Sequence, residues 1–179
     1  MRLVVGIDVG GIRKGFHLAA LDLANQKIFR LGAAATPLVA RQWIEDLPTA
    51  PECIAIDAPP FALRTRDETR TAEQEVCRAG YRVQWTRKAP MVAAEWMEHG
   101  AALWLALIDY PRVETFPTVV HDQLSGENFD LPLQLLMGCD RKFYKDLMDA
   151  CICCVAAARF LRGDATCFGK DDEFGPIWC

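Results

Sequence analysis

The chain predicts an α/β fold with a mixed five-stranded sheet, an antiparallel meander joined to parallel strands, flanked by helices. Three observations carry this expectation. Near-continuous Val/Ile/Leu runs at 3–9 and 53–57 each carry an aspartate at their C-terminal end, Asp8 next to last and Asp57 last; two further apolar segments, 15–22 and 26–31, lie between them; helical spacing of apolar residues dominates the remainder. A run that is apolar at nearly every position reads as a strand buried on both faces.

Each element follows in order. Residues 3–9 are closed by Gly10 and Gly11. The 23–25 link between the next two segments is short enough for a hairpin, so the first three strands form a meander. Pro37 opens a helix whose apolar residues are Leu38, Val39, Trp43, Ile44 and Leu47. The 53–57 run is stopped by Pro59 and Pro60 and reads as a buried parallel strand. Helices are expected over 67–78, ending at Gly80, and over 90–109, opened by Pro90. A brief strand at 113–116, a turn or short helix from Pro117 to Leu124 and a loop at 125–131 lead to the strongest helical pattern, 142–162, which Gly163 caps. No repeat or linker divides the 179 residues, so one domain over 1–179 is expected. A chain of this length buries roughly 70% of its unfolded surface and needs no disulfide or metal to hold a core.

Charge and composition narrow the function classes. With 20 Lys+Arg against 24 Asp+Glu the net charge is −4, which argues against indiscriminate binding to a phosphate backbone. A nucleic-acid partner must meet a local basic strip, and residues 64–88 supply one: seven cations against four acids. Arg70, Arg78 and Arg82 are the candidate phosphate contacts, interleaved with Tyr81 and Trp85, which could stack on unpaired bases. The same pattern also reads as a salt-bridged surface helix. The apolar stretches at 91–108 and 150–161 are interrupted by Glu95, Glu98 and His99 or are too short to cross a bilayer. Met1 leads directly into a strand rather than an export signal. The eight cysteines are scattered apart from Cys151, Cys153 and Cys154, which lack C-x-x-C spacing and a nearby histidine. They read as buried, reduced thiols of a cytoplasmic protein rather than a disulfide framework or zinc site.

The chemistry lies in the carboxylates. Asp8 and Asp57 end the two apolar runs, and Asp146 and Asp149 sit at i, i+3 at the start of the last apolar helix. A buried acid is costly unless it lies at an element's end, is paired or binds a metal. If the two runs are adjacent and parallel, Asp8 and Asp57 meet at one edge, and Glu114 could project from the late strand. Converging carboxylates are what Mg²⁺ or Mn²⁺ requires. Two such ions ~4 Å apart can activate a water and stabilise the leaving oxygen of a phosphodiester. The alternatives are structural: Asp8 and Asp57 also suit turns and caps, and Asp146 suits a solvated helix face. His121 could assist a proton transfer or lie on the surface; Asp171 or Asp172 could fold back toward the acids or form a solvated turn.

The chain also resembles, nearly end to end, a family of predicted ribonuclease H-like nucleases known as domain of unknown function 429. The resemblance is carried by the order and spacing of Val5-Gly6-Ile7-Asp8-Val9-Gly10-Gly11, Ile54-Ala55-Ile56-Asp57-Ala58-Pro59, Glu114-Thr115-Phe116-Pro117, Asp146-Leu147-Met148-Asp149-Ala150 and the 169–178 segment. It implies a ribonuclease H-like fold with metal-binding acids on the first strand, the fourth strand and the last helix. Those positions match Asp8, Asp57 and Asp149, with Asp146 as a further metal ligand and Glu114 as an auxiliary catalytic acid. The Gly6-to-Gly11 run also looks like the phosphate hairpin of sugar kinases, actin and heat-shock ATPases, but those use two lobes, beyond this length, and the run fits no G-x-G-x-x-G or Walker pattern. The expected function is Mg²⁺- or Mn²⁺-dependent hydrolysis of nucleic-acid phosphodiesters. The alternative is a non-catalytic module of the same fold that binds a nucleotide or a protein. Oligomeric state is left open.

Overall fold

Leu3–Val9 (β1) is buried over its whole length. Leu3, Val5 and Ile7 enter one apolar cluster and Val4 the other, the period-two alternation of a strand between two covering layers. The computed structural model describes residues 1–124 and 141–179, and for 141–143 the backbone alone; the loop expected at 125–131 lies outside the described residues. Phe16–Asp22 (β2) pairs antiparallel with β1, and Lys27–Ala34 (β3) pairs antiparallel with β2. Cys53–Asp57 (β4) joins the other side of β1 in parallel, followed in parallel by Arg112–Glu114 (β5). The hairpin meander and the parallel pair thus form as their patterns implied.

The sheet has seven strands rather than five, in the order β3-β2-β1-β4-β5-β7-β6. Cys167–Phe168 (β6) and Ile177–Trp178 (β7) extend it, β7 parallel to β5 and β6 antiparallel to β7. Two-residue strands carry no periodicity to read. Backbone pairing near the C-terminus sets them, including a bond from Cys179 N to Thr166 O at 2.8 Å.

Helices cover both faces. Pro37–Glu45 (α1) begins with Thr36 accepting a hydrogen bond from Val39 N at 3.3 Å and with Pro at the first turn. Thr71–Arg78 (α2) starts four residues later than expected. The cause is Arg64, whose guanidinium donates to the carbonyls of Asp67 and Glu68 and wraps that segment around itself. Glu95–Ala106 (α3) starts five residues after Pro90, because Arg64 and Lys88 pair as an extended bridge and Ala89 N donates to Arg64 O at 2.9 Å. Pro117–Gln123 (α4) precedes Arg141–Arg162 (α5).

The last helix sets the depth of the fold. Residues 150–157 of α5 are buried without interruption, and each large apolar side chain among them contributes roughly 1.5–3 kcal/mol relative to exposure. A Cβ on Gly6 would collide with the backbone of Ala150, Cys153 and Cys154, so α5 rests directly on the β1 backbone. Cys154 Sγ donates to Ala19 O at 3.2 Å from within this layer, and the seven described cysteines are free thiols. On the other face, α1 and α3 bring Trp43, Ile44 and Leu103 against Leu3, Val5, Ile7 and Phe16. Among the described residues no helix is long and apolar enough to cross a membrane.

Candidate metal centre

Parallel pairing fixes the first two acids. Asp8 and Asp57 are register partners at the C-terminal ends of β1 and β4, so their side chains leave the same face of the sheet at the same edge. On its other side Asp8 is the register partner of His17 in β2; His17 Nδ1 lies 3.4 Å from Asp8 Oδ2. α5 crosses this edge and adds Asp146. One ligand atom each from Asp8, His17 and Asp146 lie within 4.8 Å of one another, and all three residues are buried. Asp149, three residues along α5, is half-buried on the same face, brings its charge to bear on Asp57 and is itself raised by the charge of Asp8.

The electrostatics follow from this crowding. Burial pushes the Asp57 carboxyl well above its usual range, and the neighbouring Asp8, Asp149 and Glu114 push it further, with Lys145 opposing. Burial also raises Asp149, with Lys145 opposing and Asp8 and Asp146 adding to the rise. Two lysines approach from the rim: Lys14 Nζ sits 2.6 Å from Asp146 Oδ2, and Lys145 pairs with Asp149 one turn away. Acids that resist ionisation because they are buried and crowded together are relieved by a cation. The donor set, carboxylate oxygens with one imidazole nitrogen, fits a divalent metal ion.

Other candidates are placed elsewhere. β5 ends with Glu114 in register with Ile56, one residue short of Asp57, and both Glu114 oxygens accept from Arg70, at 2.8 and 2.6 Å. Arg70 is therefore no surface phosphate contact: it is 1% exposed, donates also to Gly175 O at 3.0 Å and lies over the Phe61 ring. Arg78 and Arg82 are exposed. His121 lies on the surface beside Asp122. Asp172 accepts from Ala72 N at 2.8 Å, capping α2 rather than joining the acids.

Two residues of the site region escape the sequence reading. His17 is one of three dispersed histidines in sequence; counting back across the β1–β2 hairpin is the signal that sets it opposite Asp8. Glu73 looks like one acid of a charged helix, yet it is 2% exposed and accepts from Thr86 N at 3.1 Å. Beside Asp57 lies a cavity of about 240 Å³ whose walls include Glu73, Val83, Gln84 and Trp96. Comparison of the chain with protein-family models, with curated proteins and with solved structures finds no match in any of the three.

Proposed function

We propose that the chain is a divalent-metal-dependent hydrolase of nucleic-acid phosphodiesters with a ribonuclease H-like fold. The observation that carries the reading is the convergence of Asp8, His17 and Asp146 at the strand edge where Asp57 is the register partner of Asp8. The meander followed by two parallel strands, in the order β3-β2-β1-β4-β5, supports the fold assignment. In this reading Asp8, Asp57, Asp146 and Asp149 hold Mg²⁺ or Mn²⁺, and His17 adds a nitrogen donor that favours Mn²⁺. A bound divalent cation supplies Lewis-acid activation of water and neutralises charge on the scissile phosphate. Glu114, held by Arg70, positions the end of β5 rather than binding metal.

The nucleic-acid assignment draws on the rim of the cavity. Val83 and Gln84 line it beside Asp57, and they are flanked in sequence by Arg82 and Trp85, both exposed. A cation and an aromatic next to a metal-binding edge suit a single strand.

Calorimetric titration of Mn²⁺ into the wild-type protein and into Asp8→Asn tests the metal site. Saturable binding is expected in the first and its loss in the second, with unchanged circular dichroism. Cleavage of single-stranded DNA or RNA oligonucleotides is expected to require Mn²⁺ or Mg²⁺, and cleavage retained by Asp8→Asn would overturn the reading.

A further inference from the structure

The cavity beside Asp57 has a composition the metal site does not explain. Its walls are largely apolar, with Val9, Val83, Trp96 and Phe116 among them, while Asp57, Glu73 and Glu114 supply carboxylates, both Glu114 oxygens being already engaged by Arg70. Trp96 is tied in place by donating from Nε1 to Gln84 Oε1 at 2.9 Å. Glu73 is divided between two tasks. Its Oε1 accepts from the Thr86 backbone N–H and hydroxyl, whereas its Oε2 is buried with no hydrogen-bond partner. An unmet buried acceptor is unfavourable, and a ligand N–H would satisfy it.

A ligand suited to these walls has flat apolar faces, an amino edge and a link to an anionic group at the metal edge. At about 240 Å³ the space is smaller than the 300–1,000 Å³ of drug-sized sites and suits one ring system. We infer that the cavity is a subsite for a single amino-bearing nucleobase, cytosine in particular, stacked on Trp96 with its amino group donating to Glu73 Oε2. The link to the scissile phosphate rests on the hydrolase reading above; the base selectivity rests on the cavity alone. Uracil has the same shape but sets a carbonyl oxygen where cytosine has its amino group, so it meets the Glu73 carboxylate with a lone pair. A carboxylate accepting from the cytosine amino group is an established base-reading contact, and a good contact of this kind separates right from wrong bases by about 10-fold or more.

The test is ligand-observed NMR titration of the protein with cytidine and with uridine, without added metal. Nucleosides carry no phosphate, so the result does not depend on the metal site. Cytidine is expected to bind saturably and about 10-fold or more tightly than uridine. In Glu73→Gln the amide can donate to the uracil carbonyl, so the preference is expected to vanish or reverse; Trp96→Ala is expected to weaken both nucleosides in parallel. Equal affinities, no saturable binding of either nucleoside, or a preference surviving in folded Glu73→Gln would each overturn the subsite. Should Glu73→Gln not fold, unchanged cytidine affinity in Trp96→Ala overturns it instead. Mn²⁺ binding without cytidine binding removes the subsite and leaves the hydrolase reading; cytidine binding without Mn²⁺ binding does the reverse.

Discussion

Beside α2, Glu114 and Glu73 share the buried guanidinium of Arg70, which holds both Glu114 oxygens and comes within 3.6 Å of Glu73. At the ends of β1 and β4, Asp8 and Asp57 face a different arrangement. The cations there reach in from the surface, Lys14 and Lys145 with side chains 38% and 73% exposed, and settle on the α5 acids. The first cluster has its counter-charge built into the core and ties β5, α2 and the C-terminal segment together. Burial holds carboxyls above their usual range in both clusters, Glu114 in the first as well as Asp57 and Asp149 in the second; among the described residues, only the second lacks a buried cation of its own and so retains capacity for added positive charge. Burial and acid content alone do not separate a structural ion pair from a cation site; the location of the compensating charge does.

Breaking each side of that contrast gives opposite results. Arg70→Ala should have the largest effect, a loss of about 3–5 kcal/mol in urea unfolding, because it leaves Glu114 buried without its partner. Asp8→Asn removes a like charge from a crowded edge, and its metal-free stability should match or exceed that of the wild type in the same assay. Next in size is stabilisation by the ion. At 100 times its dissociation constant, Mn²⁺ should stabilise the wild type by about 2.7 kcal/mol and leave Asp8→Asn unaffected, as read from thermal unfolding at matched pH.

Acidity sharpens the comparison further. Burial and neighbouring like charge hold the Asp57 and Asp149 carboxyls above the ordinary aspartate value of 3.8, so above that pH the native state holds more protons than the unfolded chain. Metal-free stability should then fall as pH rises from about 3.8 through the raised values, and Mn²⁺ should flatten the fall because it competes with those protons. A metal-free melting temperature that climbs steadily across this window would contradict the assignment. The smallest effect belongs to the rim: Lys14→Ala should change stability by no more than about 1 kcal/mol while tightening Mn²⁺ binding in calorimetry, since the Asp146 carboxylate no longer faces a competing ammonium.

Much of this edge is legible in the sequence because its acids interrupt patterns. Asp8 and Asp57 stand out at the ends of apolar runs, and the parallel pairing of those runs brings them together. The α5 acids follow from helical spacing. His17 is hidden because its role depends on hairpin register, which no local pattern at His17 announces. Arg70 and Glu73 are hidden for another reason: in an arginine-rich strip every charge resembles a solvated one, and only tertiary packing sends these two inward while Arg78 and Arg82 stay exposed. The edge strands β6 and β7 are too short to leave a periodic trace; the late start of α2 traces to the Arg64 side chain and that of α3 to backbone pairing between Arg64 and residues 88–89.

The bare α-carbon of Gly6 has a consequence for the tolerance of the centre. Two residues before Asp8, it lets α5 lie against the strand at backbone contact, and a single added methyl group would meet main chain that has no rotamer to swing away. The helix would have to rise as a body, carrying Asp146 and Asp149 with it. Ligand spacing at the sheet edge is therefore gauged by a hydrogen atom on Gly6. Gly6→Ala tests this gauge: it leaves every acid in place chemically, yet it should widen the gap between strand and helix enough to loosen the ion.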